Sequence, residues 1–195
     1  METLSGWDTQ LFLLINGLNT PFWDPVMAWI SAKYSWIPLY LVLIAWLLRD
    51  YRRRAGWILL GLALLLAVGD EVVSHLFKDL FQRLRPCHEP QLAGLVHLVD
   101  NHCGGLYGFV SNHACNHFIA AVFTALWLRR RWYWAAILSW AALVSYSRIY
   151  LGVHYPADVL GGALLGTLLA LGMYGLLRVL GLQPLARTPP GRTAA

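Results

Sequence analysis

Three short segments carry polar groups that an apolar chain would not hold without a use. The first is Lys78, six residues, then Arg85-Pro86. Positions seven apart share a helical face, so both cations are expected to point the same way before Pro86 ends the helix. The second is Ser111-Asn112-His113, where serine caps a helix and the exposed amides of its first turn attract anions. The third is Ser147-Arg148, five residues, His154, three residues, Asp158. Pro156 suits the first turn of a helix, which lets Asp158 reach back to the His154 imidazole. Three fixed cations, a helix N-terminus, two histidines and an aspartate match a phosphoryl group in flight. Its charge spreads over equatorial oxygens, and catalysis is mostly positioning and electrostatic stabilisation.

The elements that must position these groups are membrane helices. The chain has 195 residues, 58% of them hydrophobic and only 13% charged, against about 25% charged in a soluble domain. Its mean hydropathy is +0.52. Such a chain cannot cover itself with polar surface, which excludes a cytosolic enzyme, a disordered tail and a nucleic-acid module. The net charge of +5 does not mark a DNA binder, because ten of the 15 basic residues fall in three clusters: Arg49, Arg52, Arg53 and Arg54; Arg129, Arg130 and Arg131; Arg178, Arg187 and Arg192. Each cluster borders an apolar stretch, as at cytoplasmic helix ends.

Uncharged runs predict five spans, near 34–49, 55–80, 112–128, 132–149 and 156–180, each close to the ~20 residues a bilayer requires. Trp36, Trp57, Trp127, Trp132 and Trp134 fall near their ends, where indole favours the headgroup layer. Placing the basic clusters inside puts segment 81–110 and the turn at Arg148–His154 on the opposite face, so all three polar segments meet there. Residues 1–33 are expected to form an interfacial amphipathic helix or a broken sixth span. Leu4, Trp7, Leu11, Leu14, Ile15 and Leu18 recur at helical spacing, while Asn19, Pro21, Asp24 and Pro25 interrupt the stretch after them. The fold class is therefore all-α, a polytopic membrane bundle of five spans with that N-terminal helix. The membrane domain is 34–182, and residues 183–195, with Pro189, Pro190 and Gly191, read as a disordered cytoplasmic tail.

The three segments together resemble the type 2 phosphatidic acid phosphatase family of membrane lipid phosphatases. That family's signature is Lys-x6-Arg-Pro, Pro-Ser-Gly-His and Ser-Arg-x5-His-x3-Asp. The first and third are complete here; in the second, Val110 stands for Pro and Asn112 for Gly. The resemblance covers roughly residues 56–180. It implies that His154 is the nucleophile and forms a phosphohistidine, that Asp158 orients it, and that His113 protonates the leaving oxygen and later activates water. Lys78, Arg85 and Arg148, with Ser111 and the amides near Asn112, would hold the phosphate oxygens, with no metal and no cofactor. The implied partner is a lipid phosphate within the bilayer of an inner membrane, with the site facing outward. Undecaprenyl diphosphate ranks first, and phosphatidic acid, phosphatidylglycerophosphate and lipid A phosphates remain open. The spacing leaves the oligomeric state undetermined.

Two rival classes share parts of this pattern. Vanadate-dependent haloperoxidases use a similar constellation but are soluble, against the five apolar runs. A non-catalytic scaffold or transporter would not need His113 and His154 together.

Other polar residues have simpler expected uses. Asp70, Glu71 and His75 read as a structural buffer for neighbouring cations, and the Glu71, His75 and Lys78 face is expected to look into the bundle. Asp79 and Arg83, four apart, read as a helix-surface pair. Gly161, Gly162 and Gly166 are expected to permit close helix packing. Cys87 and Cys103 share the outer loop, where an oxidising face would join them; free thiols, or a zinc site with His88, His97 and His102, are the alternatives. Cys115, inside a span, reads as a buried apolar residue.

Overall fold

The structure, a computed structural model, describes residues 2–182; the expected tail, 183–195, lies outside them. Eight α-helical segments run in order: α1 (Glu2–Asn16), α2 (Trp23–Ser31), α3 (Ile37–Tyr51), α4 (Ala55–Glu71), α5 (Lys78–Phe81), α6 (Asn112–Leu128), α7 (Arg131–Tyr150) and α8 (Pro156–Val179). A π-helical stretch, Val72–Phe77, joins α4 to α5 without a break in the helix. Helices thus stand at each of the five stretches where apolar runs predict them. Residues 2–33 supply two short helices, separated by the turn around Pro21. Among the described residues there is no strand, only an isolated antiparallel bridge between Leu84 and Tyr107.

Local chemistry sets the helix ends. Ser111 caps α6, its Oγ accepting from the Ala114 amide at 3.4 Å. Arg129, at φ 53°, closes α6 in the left-handed region. Pro156 opens α8 at its first residue, where the missing N–H costs nothing. Arg52, at φ 50°, turns the long apolar stretch Ile37–Phe81 into the hairpin α3–α4.

The centre of the bundle is α6, buried from Ala114 to Leu128 along most of its length and packed on α4, α7 and α8. Its contact with α8 is backbone on backbone. A Cβ at Gly162 would lie 2.5 Å from the Ser111 carbonyl oxygen, and one at Gly166 would lie still nearer the Cys115 carbonyl. Only glycine permits that approach. The outer faces are apolar as well: Leu60, Leu64 and Val68 on α4, and Leu160, Leu164 and Leu168 on α8, are all exposed. A helix apolar all round suits hydrocarbon solvent. The 24 residues of α8 extend about 36 Å, enough to cross a bilayer core of about 30 Å.

Candidate active site

The glycine-mediated contact between α6 and α8 brings the second and third sequence segments together. Beyond the side chains, the Ser111 amide donates to the Asp158 carbonyl at 2.9 Å. His154 lies in the loop just before α8, 2% exposed, and Asp158 lies in the first turn with no exposure at all. The His154 Nδ1 faces Asp158 Oδ2 at 3.4 Å, a long contact of the kind that tightens when substrate binds. Asp158 Oδ2 also accepts from the Tyr155 amide at 3.0 Å, fixing the carboxylate across the start of the helix. The ring also hydrogen-bonds the Gly108 backbone, and His154 lines the cavity. Burial pushes the His154 imidazole well below its ordinary range, and the Arg85, Arg148 and Lys78 charges push the same way. A neutral imidazole is the form that can attack.

The first segment arrives differently from expectation. Lys78 and Arg85 do not share a helical face. Helix α5 stops at Phe81 because Gln82 adopts a left-handed conformation at φ 45°. Arg85 then lies in extended chain whose amide donates to Leu106 O at 3.1 Å. Its guanidinium is held by carbonyls, with Nη1 3.3 Å from Cys103 O and 3.4 Å from Val153 O, and Nε 3.3 Å from Tyr107 O. Burial lowers its pKa, partly offset by the Asp158 charge. Lys78 Nζ donates to Asn112 Oδ1 at 2.5 Å. Asn112 Nδ2 in turn donates to Asp70 Oδ1 at 3.1 Å.

Arg148 enters from α7, with Nη1 donating to Ser31 Oγ at 2.5 Å and Nε buried without a partner. A buried, unsatisfied guanidinium N–H beside a histidine pair is a donor that an anion would satisfy. His113, Lys78, Arg85, Arg148, Asn112 and His154 all line one cavity of about 880 Å³. Ser111 is wholly buried just behind them.

Several residues reach this region unannounced. Lys33, just after α2, lines the cavity. His117 sits one turn below His113, its Nδ1 2.7 Å from the His113 carbonyl and its ring stacked on the neighbouring ring at 6.0 Å. The i, i+4 spacing of the two was readable, but no motif marks His117. Arg83 is not paired with Asp79. The turn at Gln82 removes it from the helix, and Nη1 donates to Asp158 Oδ1 at 2.9 Å while Nη2 meets Asp8 Oδ2 at 2.5 Å. Glu71 and His75 line the cavity mouth and pair with each other at 3.5 Å, but both side chains are largely exposed. The π-helical stretch between Glu71 and Lys78 changes the turn there, yet Glu71, His75 and Lys78 all line the same cavity. Asp70 accepts from Asn112 and Asn116, and its charge also acts on Lys78, so it buffers that cation as expected.

Cys87 and Cys103 are joined by a disulfide with Cα atoms 6.0 Å apart, which ties the outer loop beside Arg85. Cys115 is free and buried in α6.

A helical bundle with apolar outer faces, holding fixed cations around a histidine–aspartate pair, defines a phosphoryl-transfer protein of the membrane. The chain belongs to the PAP2 superfamily, whose model matches residues 54–180. It is similar to the lipid A 4'-phosphatase of Bacteroides thetaiotaomicron, 38% identical over 168 residues that cover 85% of this chain and 75% of the relative. It is similar also to an undecaprenyl-diphosphatase of Sulfolobus acidocaldarius, 32% identical over 83% of this chain and 74% of that one. The crystal structure of a transmembrane PAP2-type phosphatidylglycerolphosphate phosphatase from Bacillus subtilis superposes with a TM-score of 0.67. That match covers 92% of this chain and 88% of the other at 23% identity, so the two share a fold.

Proposed function

We propose that this protein removes phosphate from a membrane lipid through a phosphohistidine formed on His154. One observation carries the proposal: a single cavity presents Lys78, Arg85, His113, Arg148 and His154 at one end and Leu43, Leu47, Leu59 and Leu62 at the other. His113 and Thr124, both lining it, are eleven residues apart on α6, which is about 16 Å along the helix. A headgroup and the upper part of an acyl or prenyl chain fit such a space together.

The chemistry rests on these positions. Nε2 of His154 attacks phosphorus, the bond from phosphorus to the lipid oxygen breaks, and His113 gives that oxygen its proton. Water then loses a proton to His113 and attacks the phosphohistidine, releasing inorganic phosphate and restoring His154. Asp158 steadies the imidazole as charge develops on it. Lys78, Arg85 and Arg148, with Ser111 and the amides near Asn112, hold the phosphate oxygens. These cations neutralise the phosphate, so no metal or cofactor is assigned.

Within lipid phosphates, the wall formed by Asp70, Ser74, Asn112 and Asn116 favours a phosphate carried on a sugar. These side chains form a hydrogen-bonded polar wall beside Lys78, which a sugar's hydroxyls can join where a polyprenyl diphosphate has none. We place the five helices α3, α4–α5, α6, α7 and α8 across an inner membrane, with the basic clusters and C-terminus inside and the site outside.

The test is phosphate release in detergent micelles containing EDTA, from lipid A bisphosphate, undecaprenyl diphosphate and a diacyl phosphate. Turnover should persist in EDTA, fall with vanadate, and disappear in His154→Ala. EDTA-sensitive turnover, or an active His154→Ala variant, would overturn the mechanism. Faster hydrolysis of undecaprenyl diphosphate than of lipid A would overturn the sugar preference.

A further inference from the structure

Helix α1 lies outside all three sequence segments and outside residues 54–180, yet it reaches the partner of the nucleophile. Asp8 uses both carboxylate oxygens. Oδ1 accepts from the Ala157 amide, in the first turn of α8, at 2.9 Å, and Oδ2 accepts from Arg83 Nη2 at 2.5 Å. The other terminal nitrogen of Arg83 donates to Asp158 Oδ1 at 2.9 Å. The same guanidinium lies 4.1 Å over the Tyr155 ring. Phe12, fully buried on α1, meets the other side of this corner by packing edge-on against Tyr155 at 5.4 Å.

Asp158 carries its charge with no exposure, and a buried carboxylate without a cation is strongly destabilised. The guanidinium of Arg85, though near, is hydrogen-bonded to the carbonyls of Cys103, Tyr107 and Val153. The hydrogen-bonded ion pair to Asp158 comes from Arg83. Arg83 is not among the residues lining the 880 Å³ cavity, so it stands behind the carboxylate and not against the phosphate.

We propose that Arg83 and Asp8 are positioning residues that hold Asp158 charged and aimed at His154, which makes α1 a working part of the site. This rests on His154 and Asp158 acting as set out above. The chain of contacts runs from α1 through Asp8 to Arg83, then to Asp158 and the imidazole. Arg83 gives Asp158 its orientation because two parallel demands, Asp8 on one nitrogen and Asp158 on the other, leave the guanidinium a single pose. The titratable and charged groups facing Asp158 and its neighbour Tyr155 are Asp8, Arg83, Arg85, Glu89 and His154.

The experiment measures kcat and KM from pH 4.5 to 8 for the full chain in detergent micelles with a diacyl phosphate. Arg83→Met should lower kcat about 10–100-fold, leave KM within about twofold because no phosphate contact is lost, and move the acid limb of kcat to higher pH. Arg83→Lys should recover part of the loss, since one ammonium keeps the charge but cannot serve both carboxylates. Asp8→Asn should show the same pattern at smaller size. Phe12→Ala, which loosens α1 without removing either ion pair, should lower the unfolding temperature but leave the acid limb in place. An Arg83→Met enzyme that loses activity with an unshifted pH profile, or whose KM alone rises, would overturn the proposal. If Arg83→Met is inert in kcat while His154→Ala is dead, only this proposal fails. An active His154→Ala would remove the mechanism beneath it.

Discussion

The α6–α8 pair and the α3–α4 hairpin are packed in opposite ways. Helices α6 and α8 meet through glycines, bury most of the contact and carry Ser111, His113 and Asp158, with His154 just ahead of α8. The hairpin buries few of its residues, only Leu43, Leu47 and Tyr51 on α3, and turns Leu60, Leu64 and Val68 outward. It lends the cavity a leucine wall and, past the π-helical stretch, Lys78. The candidate reacting groups sit on the half whose backbones approach most closely. The leucine wall of the cavity belongs to the half with few side chains locked in place. A nucleophile tolerates little displacement, whereas apolar chains are matched by area and not by pose.

The comparison breaks first at His154. His154→Ala should abolish phosphate release, a loss of about 10⁴-fold or more, and no substitution in α3 should approach it. Next comes the glycine seam. Gly166→Val drives side-chain carbon into the Cys115 backbone and should cost about 1–3 kcal/mol together with activity, as read by thermal unfolding in detergent. Gly172→Ala on the same helix, which meets nothing within 4 Å, should leave unfolding unchanged. An indifferent Gly166→Val would show that α6 and α8 are not held as closely as described.

Lys78→Ala sharpens the contrast from the hairpin side. It removes a cation from the phosphate end and should lower kcat/KM about 10²-fold. Leu59→Trp, which fills the inner end of the cavity, should raise KM severalfold for long-chain substrates and leave a short-chain phosphate ester unaffected. Equal effects on both would separate the leucine wall from tail binding.

The smallest effect is in pH. His154 is held below its ordinary range by burial, so the folded protein refuses a proton that the unfolded chain accepts below about pH 6.5. Its contribution to stability is therefore complete above that pH and is lost on acidification. The unfolding temperature should fall from pH 7 to pH 5, and fall less steeply in His154→Gln.

The residue types and spacings that carry the chemistry were legible in the chain itself, because charged groups in an apolar sequence are costly and stand out. So were the apolar runs at which the helices form, the serine that caps α6, the proline that opens α8 and the glycines between them. Each depends on interactions within a few residues, or on solvent alone. The pairing of Arg83 was not legible. Its distance from Asp79 suits a helix, and nothing local announces that Gln82 will leave the α conformation. Nor could spacing show the inserted π turn, Asp8 beneath the nucleophile's partner, or Lys33 and His117 at the cavity.

Composition and pattern therefore determined that this chain would form an apolar helical bundle and would bring cations and two histidines to one cavity. Which cation lines the cavity and which pairs with Asp158 was decided only when α1, the loop after α5 and α8 closed on one another. A buried charge takes the partner that packing delivers, and packing is a property of the whole chain.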